Sequence, residues 1–238
     1  GFTISVLTVS LAFGAYFGAN VLTPLWLQTL MGYTGTQAGL AACWTGIAGL
    51  TVAPFVAKAA TTTDARKLVF VGVLWLGLMT FWRGIANTDM AFIDVMLPLL
   101  FMGFGLPFFF IPAMGLSLSS VEKNEVDSAA GLLNFVRTLS GAFATSFVAT
   151  AWSNKTIENH ANLVAITDSD NSIRMAMENT GMSTDLINQT INMMINKQSV
   201  MLATNQVMIT LSVVFVLAAL MIWGAPKPVK IPKTTGGH

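Results

Sequence analysis

The chain has 238 residues, of which 54% are apolar and only 10% charged, with a formal net charge of +1 and a mean hydropathy of +0.67. Soluble domains carry roughly 25% charged residues, so a water-soluble globule is excluded, and the near-neutral balance lacks the basic face that nucleic acid requires. The single cysteine, Cys43, leaves no intrachain disulfide and no cysteine zinc cluster.

The first charged side chain is Lys58. A hydrocarbon core of roughly 30 Å needs about 20 helical residues to cross it, and its backbone must satisfy its own hydrogen bonds. Residues 1–57 therefore predict a transmembrane helical hairpin, spans 2–30 and 37–59, around the turn Met31-Gly32-Tyr33-Thr34. Cys43 falls mid-span and reads as a small packed apolar residue. The chain opens on Gly1 with no basic n-region or cleavage site, so its first span reads as a helix within a longer polypeptide and not as a signal peptide.

Span three, 67–83, is bounded by Lys67 and Arg83. Span four, 91–118, carries Asp94 near its start and Pro98, Pro107 and Pro112. Span five, 127–152, contains Arg137, and span six, 200–223, is uncharged. Trp26, Trp82, Trp152 and Trp223 fall near span ends, as an aromatic belt places them. Between spans five and six lies a polar stretch, 153–199, rich in Asn, Met and acidic residues. In it Ser183-Thr184-Asp185 precedes Leu186, Ile187, Ile191, Met194 and Ile195 at helical spacing, which predicts one or two amphipathic helices over the membrane surface, the last able to run into span six.

The expected fold is thus an all-α integral membrane protein, a six-helix transmembrane bundle with a helical extracytoplasmic loop. Helices one to five occupy 1–152, the loop 153–199, helix six 200–224 and a tail 225–238. One face holds both chain ends with Lys58, Arg66, Lys67, Lys123, Lys227, Lys230 and Lys233; the other holds Arg83, Lys155, Arg174 and Lys197. Positive-inside bias puts the tail in the cytoplasm and the long loop outside.

Arg137 is the strongest chemical signal. It lies about ten residues, or roughly 15 Å, into span five, where a permanently charged guanidinium needs a protein interior or a wet cavity. It reads as a gating, coupling or cavity-potential residue, or as a structural arginine held by helix carbonyls and polar neighbours such as Asn134. Asp94, at the outer end of span four, reads as a solvated or capping acid, with proton carriage as the alternative. Phe108, Phe109 and Phe110 project around span four, so one or two of them can line an aromatic cavity for lipophilic compounds. Tyr16, Asn20, Thr23 and Gln28 form a polar stripe on span one, facing water or bonding to other helices. The chain has no metalloprotease, serine-hydrolase or phosphate-loop signature, so an enzyme is disfavoured.

Three segments carry a resemblance. Lys58-Ala-Ala-Thr-Thr-Thr-Asp64-Ala-Arg66-Lys67 resembles the loop motif of major facilitator transporters, with Ala57 where that motif opens on glycine. Asn134-Phe-Val-Arg137-Thr-Leu-Ser-Gly141 resembles the Asn-Phe-x-Arg-x-Leu-x-Gly run of 14-span drug:proton antiporters of the EmrB/QacA type. Gly32-Tyr33-Thr34, followed by Ala38-Gly39-Leu40, is similar to the outer turn between that family's spans nine and ten.

The resemblance implies the C-terminal half of a proton-driven multidrug exporter, in which two six-helix bundles alternate access to a central cavity. Spans one, two, four and five would line that cavity, with Tyr16, Asn20, Gln28, Phe108, Asn134 and Arg137 as the substrate-facing set. Lys58, Asp64, Arg66 and Lys67 would form the cytoplasmic loop motif. The implied setting is a bacterial inner membrane, with lipophilic substrates, protons and membrane lipid as partners. A periplasmic adaptor and an outer-membrane channel would dock on 153–199. No cofactor is implied; a proton gradient supplies the energy, and the coupling acids belong to the N-terminal half. A siderophore, polyamine or other metabolite exporter and a non-transporting membrane scaffold are the alternatives.

Overall fold

The computed structural model describes residues 2–87, 91–118, 125–169 and 171–224. These form α1 (Phe2–Thr29), α2 (Gly35–Thr62), α3 (Ala65–Arg83), α4 (Phe92–Leu118), α5 (Val126–Ser169), α6 (Ser172–Glu178) and α7 (Thr184–Met221), ending in a 3-10 turn at Ile222–Gly224. Six helices are long and apolar enough to cross a membrane. They pack into one all-α bundle, with no strand among the described residues.

Local chemistry sets the helix starts. Between α1 and α2, Gly32 takes a left-handed φ of 66°, and a capping box then opens α2. The Thr34 hydroxyl accepts from the Gln37 backbone N–H at 3.3 Å, and the Gln37 side chain accepts from the Thr34 N–H at 2.9 Å. Asp64 caps α3 and Ser183 caps α7. Intrahelical prolines in α1, α2 and α4 do not end these helices, consistent with membrane spans whose neighbours re-satisfy the freed backbone groups. Between α2 and α4, the Thr45 hydroxyl donates to the Leu99 carbonyl at 2.9 Å.

The layers follow from which helices touch. α4 packs between α2 and α3, α1 lies against α5, and α7 closes the bundle against α1, α3 and α5. The main core joins Leu22, Leu76, Met102, Phe109, Val148 and Phe215, all buried. α2 and α5 sit at the margins and leave long apolar faces uncovered, with Leu50 at 77% and Phe143 at 69% exposure.

The structure departs from the sequence reading after residue 152. α5 runs unbroken to Ser169, and α7 begins at Thr184, well before span six. The last helix of 153–199 runs on into span six as expected, whereas the stretch after Trp152 continues span five instead of lying over the membrane surface, and the two are joined through α6. No Gly or Pro interrupts residues 153–169, so loss of hydrophobicity alone does not stop the helix. The continuation reaches 17 residues beyond Trp152, about 25 Å at the α-helical rise. Ile187, Ile191 and Ile195 hold it together by packing on Leu163, Val164, Met177 and Met182. The tail 225–238, with Lys227, Lys230 and Lys233, and Lys123 lie outside the described residues.

Cys43 also departs from expectation: it is exposed on α2, not packed. Its thiol donates to the Leu40 carbonyl at 3.1 Å.

Among the described glycines, the one with least room for a side chain is Gly103 of α4. A Cβ there would lie 2.3 Å from the Thr45 carbonyl oxygen and 2.7 Å from the Ala48 side chain. Gly103→Ala must push α2 from α4, and overpacking of this kind costs about 1–3 kcal/mol. Gly46→Ala, on an open face of α2, has no such conflict. Detergent melts should show a clear fall in Tm for the first variant and none for the second.

Candidate functional site

The site begins with the aromatic residues of α1 and α4. The Phe13 ring lies tilted 4.9 Å from Phe109 and edge-on 4.8 Å from Phe110, while Tyr16 meets Phe110 at 5.8 Å and Phe17 at 5.8 Å. Arg137, on α5, lays its guanidinium carbon 5.0 Å above the Phe13 ring, a cation–π position. It is half-buried and lies 11 residues from the start of α5, about 16 Å along the axis. The cation thus meets protein at mid-span, as its cost in hydrocarbon demands.

The structure brings some of the sequence candidates together and separates others. Tyr16 and Asn20 sit one turn apart beside the aromatic cluster, and the Asn20 amide donates to the Tyr16 carbonyl at 2.9 Å. Asn134 is exposed one turn before Arg137, its carbonyl taken by the Thr138 hydroxyl at 2.8 Å. Gln28 is exposed two turns beyond Asn20.

Phe108 is a correction. It lies on the opposite side of α4, in an apolar cavity of about 260 Å³ between α3 and α4, with Gly72, Trp75 and Gly105. Successive helical residues point about 100° apart, so only part of the Phe108–Phe109–Phe110 run can face α1. Phe109 is fully buried, and Phe110 is the residue that reaches Tyr16.

A residue that the sequence reading left at a span boundary is central. Arg83, at the end of α3, is only 7% exposed. Its guanidinium donates to the Thr23 hydroxyl and to the Ala19 carbonyl at 3.4 Å on α1, and approaches the Met102 sulfur of α4 at 3.8 Å. One buried cation thereby ties three helices. The Thr23 hydroxyl donates to the Ala19 carbonyl of its own helix at 2.9 Å and still accepts from Arg83, the interhelical bonding that the polar stripe on span one allowed.

Asp94 behaves as a capping acid. It is exposed in the first turn of α4, and its carboxylate accepts from the Ala91 N–H at 3.0 Å.

At the other end of the bundle, the basic loop motif is shorter than its sequence suggests. Lys58 belongs to the last turns of α2, so only Thr63 and Asp64 separate α2 from α3. The Asp64 carboxylate accepts from the Arg66 N–H at 3.0 Å and pairs with the Arg66 guanidinium at 3.2 Å. Lys67 is exposed beside them. Burial alone would raise the Asp64 pKa, but the Arg66 hydrogen bonds and the charges of Arg66 and Lys67 outweigh it and hold the carboxyl below its ordinary range.

A profile of the major facilitator superfamily matches residues 2–145. The chain belongs to the major facilitator superfamily. It is 32% identical, over 95% of its length, to the probable multidrug resistance protein EmrY and to the multidrug export protein EmrB of Escherichia coli K12. Over its whole length it is 30% identical to the fatty acid resistance protein FarB of Neisseria gonorrhoeae. The chain spans about half the length of these relatives: 45% of EmrY and EmrB and 47% of FarB. The crystal structure of a bacterial homologue of the human lysosomal transporter Spinster, inward-facing and unoccupied, shares the fold. Its TM-score is 0.66 at 15% identity, covering 95% of this chain and 42% of that one.

Two measurements test these placements. In a Cys43→Ser background, cysteines at Asn20, Phe110 and Asn134 should react with a water-soluble maleimide in at least one transport condition, and a cysteine at Phe108 should not. Labelling of Phe108 alone would reverse the assignment of the α4 faces. Asp64→Asn keeps a capping side chain but removes the charge. Because the folded carboxyl titrates below its unfolded value, its stabilisation is present above about pH 4 and fades as pH falls through the lowered pKa. The wild-type Tm should therefore drop more than that of the variant on acidification. The difference should be small, because Asp64 is partly exposed.

Proposed function

We propose that this chain forms the C-terminal six-helix half of a proton-coupled exporter of lipophilic compounds, working by alternating access. The observation that carries this reading is the Arg137–Phe13 contact: a mid-span cation set in an aromatic cluster on the side of α1 and α5 that no helix of this bundle covers completely. A second bundle facing it would enclose a cavity that binds apolar area through rings and reads charge through one guanidinium. Similarity to EmrB, EmrY and FarB supports the same reading and a multidrug substrate range. It also supports an inner-membrane setting with the chain ends cytoplasmic, as does the basic set Lys58, Arg66 and Lys67 at one end of the bundle.

In this arrangement Arg137 sets the cavity potential, and Tyr16 and Asn20 offer polar contacts on the α1 wall. Arg83 has a positioning role, since it touches α1 from behind and fixes the angle of the wall. Proton-coupling acids belong to the facing half. The α5–α6–α7 extension, with Ile157, Met175 and Met193 exposed, is the docking surface for a periplasmic adaptor that leads to an outer-membrane channel.

Gradient-driven efflux of a lipophilic dye from cells carrying the full-length protein tests the proposal. Arg137→Ala should reduce initial efflux about five- to thirtyfold, the scale of a lost interaction of about 1–2 kcal/mol, at unchanged membrane levels, and Arg137→Lys should restore part of it. Unchanged efflux in Arg137→Ala would remove the guanidinium from the mechanism. A full-length protein that moves no compound under any gradient would favour a scaffold.

A further inference from the structure

One sizeable cavity of the bundle lies away from the aromatic cluster. A groove of about 630 Å³ runs between α1, α5 and α7, walled by Leu11, Gly14, Ala144, Val148, Leu211 and Val214. Its α1 residues lie on a different helical face from Phe13, Tyr16 and Asn20, so the α1–α5 contact separates it from the candidate substrate cavity. Along α5 it extends from Ser140 to Lys155, 15 residues or about 22 Å.

The two ends differ in chemistry. The Lys155 ammonium and Gln206 stand at one end, where Gln206 is joined to Asn159 by a 3.2 Å hydrogen bond. Toward Ser140 the walls are apolar side chains and small residues. Lys155 is paired with Glu158 at 2.7 Å, but both are about half exposed, and such pairs are weak.

We propose that this groove binds one acyl chain of an anionic phospholipid, with its phosphate on Lys155 and the Gln206 amide. Lys155 lies three residues past the Trp152 end of the apolar span, where a headgroup sits. One leaflet is about 15 Å deep, so a groove of about 22 Å accommodates a chain and its glycerol attachment. The exposed lining residues Phe147 and Thr210 leave its long side open. A second chain can therefore lie alongside in the bilayer, which favours a two-chain lipid over a free fatty acid. This inference needs only the fold and the membrane; it does not depend on what the protein transports.

Native mass spectrometry of the full-length protein, incubated with equal phosphatidylglycerol and phosphatidylcholine, tests it. The wild type should retain phosphatidylglycerol about fivefold over phosphatidylcholine, the scale of one lysine near an anionic headgroup. Lys155→Gln should bring that ratio to about one, and Lys155→Arg should preserve it. Ala151→Phe, which fills the groove near its polar end, should lower retention of both lipids. A ratio unmoved by Lys155→Gln, or retention unmoved by Ala151→Phe, overturns the site. Displacement of phosphatidylglycerol by an equal amount of palmitate overturns the phospholipid assignment. Efflux through the aromatic cavity is a separate readout, so failure of either idea is distinguishable from failure of the other.

Discussion

Helices in a bilayer gain nothing by hiding apolar side chains from lipid, so their association depends on how closely backbones can meet. This bundle meets that constraint with glycine. Gly103 rests against the Thr45 carbonyl, and Gly72 lies so near α4 that an added Cβ would sit 2.7 Å from the Phe108 carbonyl carbon. Gly14 and Gly18 do the same for α1 against Ala144 and Val148 of α5. These seams align α2–α4–α3 and α1–α5, and the polar contacts then fix what the seams allow. Trp75 donates to the Phe101 carbonyl at 2.7 Å, and Trp152 to the Thr204 hydroxyl at 2.9 Å.

Upon that frame, the two intramembrane arginines divide their work. Arg83 is sealed among α1, α3 and α4, and its contacts are a hydroxyl, a carbonyl and a thioether. Arg137 is half-open and rests on a ring. Both charges tolerate the bilayer because protein supplies the polar or polarisable surroundings that lipid cannot. A sealed cation holds shape, whereas an open one can meet a ligand. The wall of α1 between them, from Phe13 to Thr23, is therefore shaped from one side and presented on the other.

The spans were legible because charge is nearly absent from them, and their number and order match the helices of the structure. Capping was legible too, since Thr34–Gln37, Asp64 and Ser183 are local signals. What escaped was decided by register and by context. Phe108 and Phe110 differ by two residues and point to different neighbours, a distinction that requires knowing which helix lies beside α4. Arg83 read only as the outer boundary of span three, because its burial depends on Thr23, 60 residues away. The helix of span five runs on past Trp152 to Ser169, because hydropathy marks where lipid stops, not where a helix stops.

That last feature has a mechanical consequence. α5 and α7 leave the bundle as stiff rods, clamped together by an isoleucine rib and hinged nowhere at the Trp152 level. Any tilt of the transmembrane helices is therefore carried outward undiminished and magnified by the length of the rods. The tip near α6 then acts as a lever arm and sweeps the widest arc.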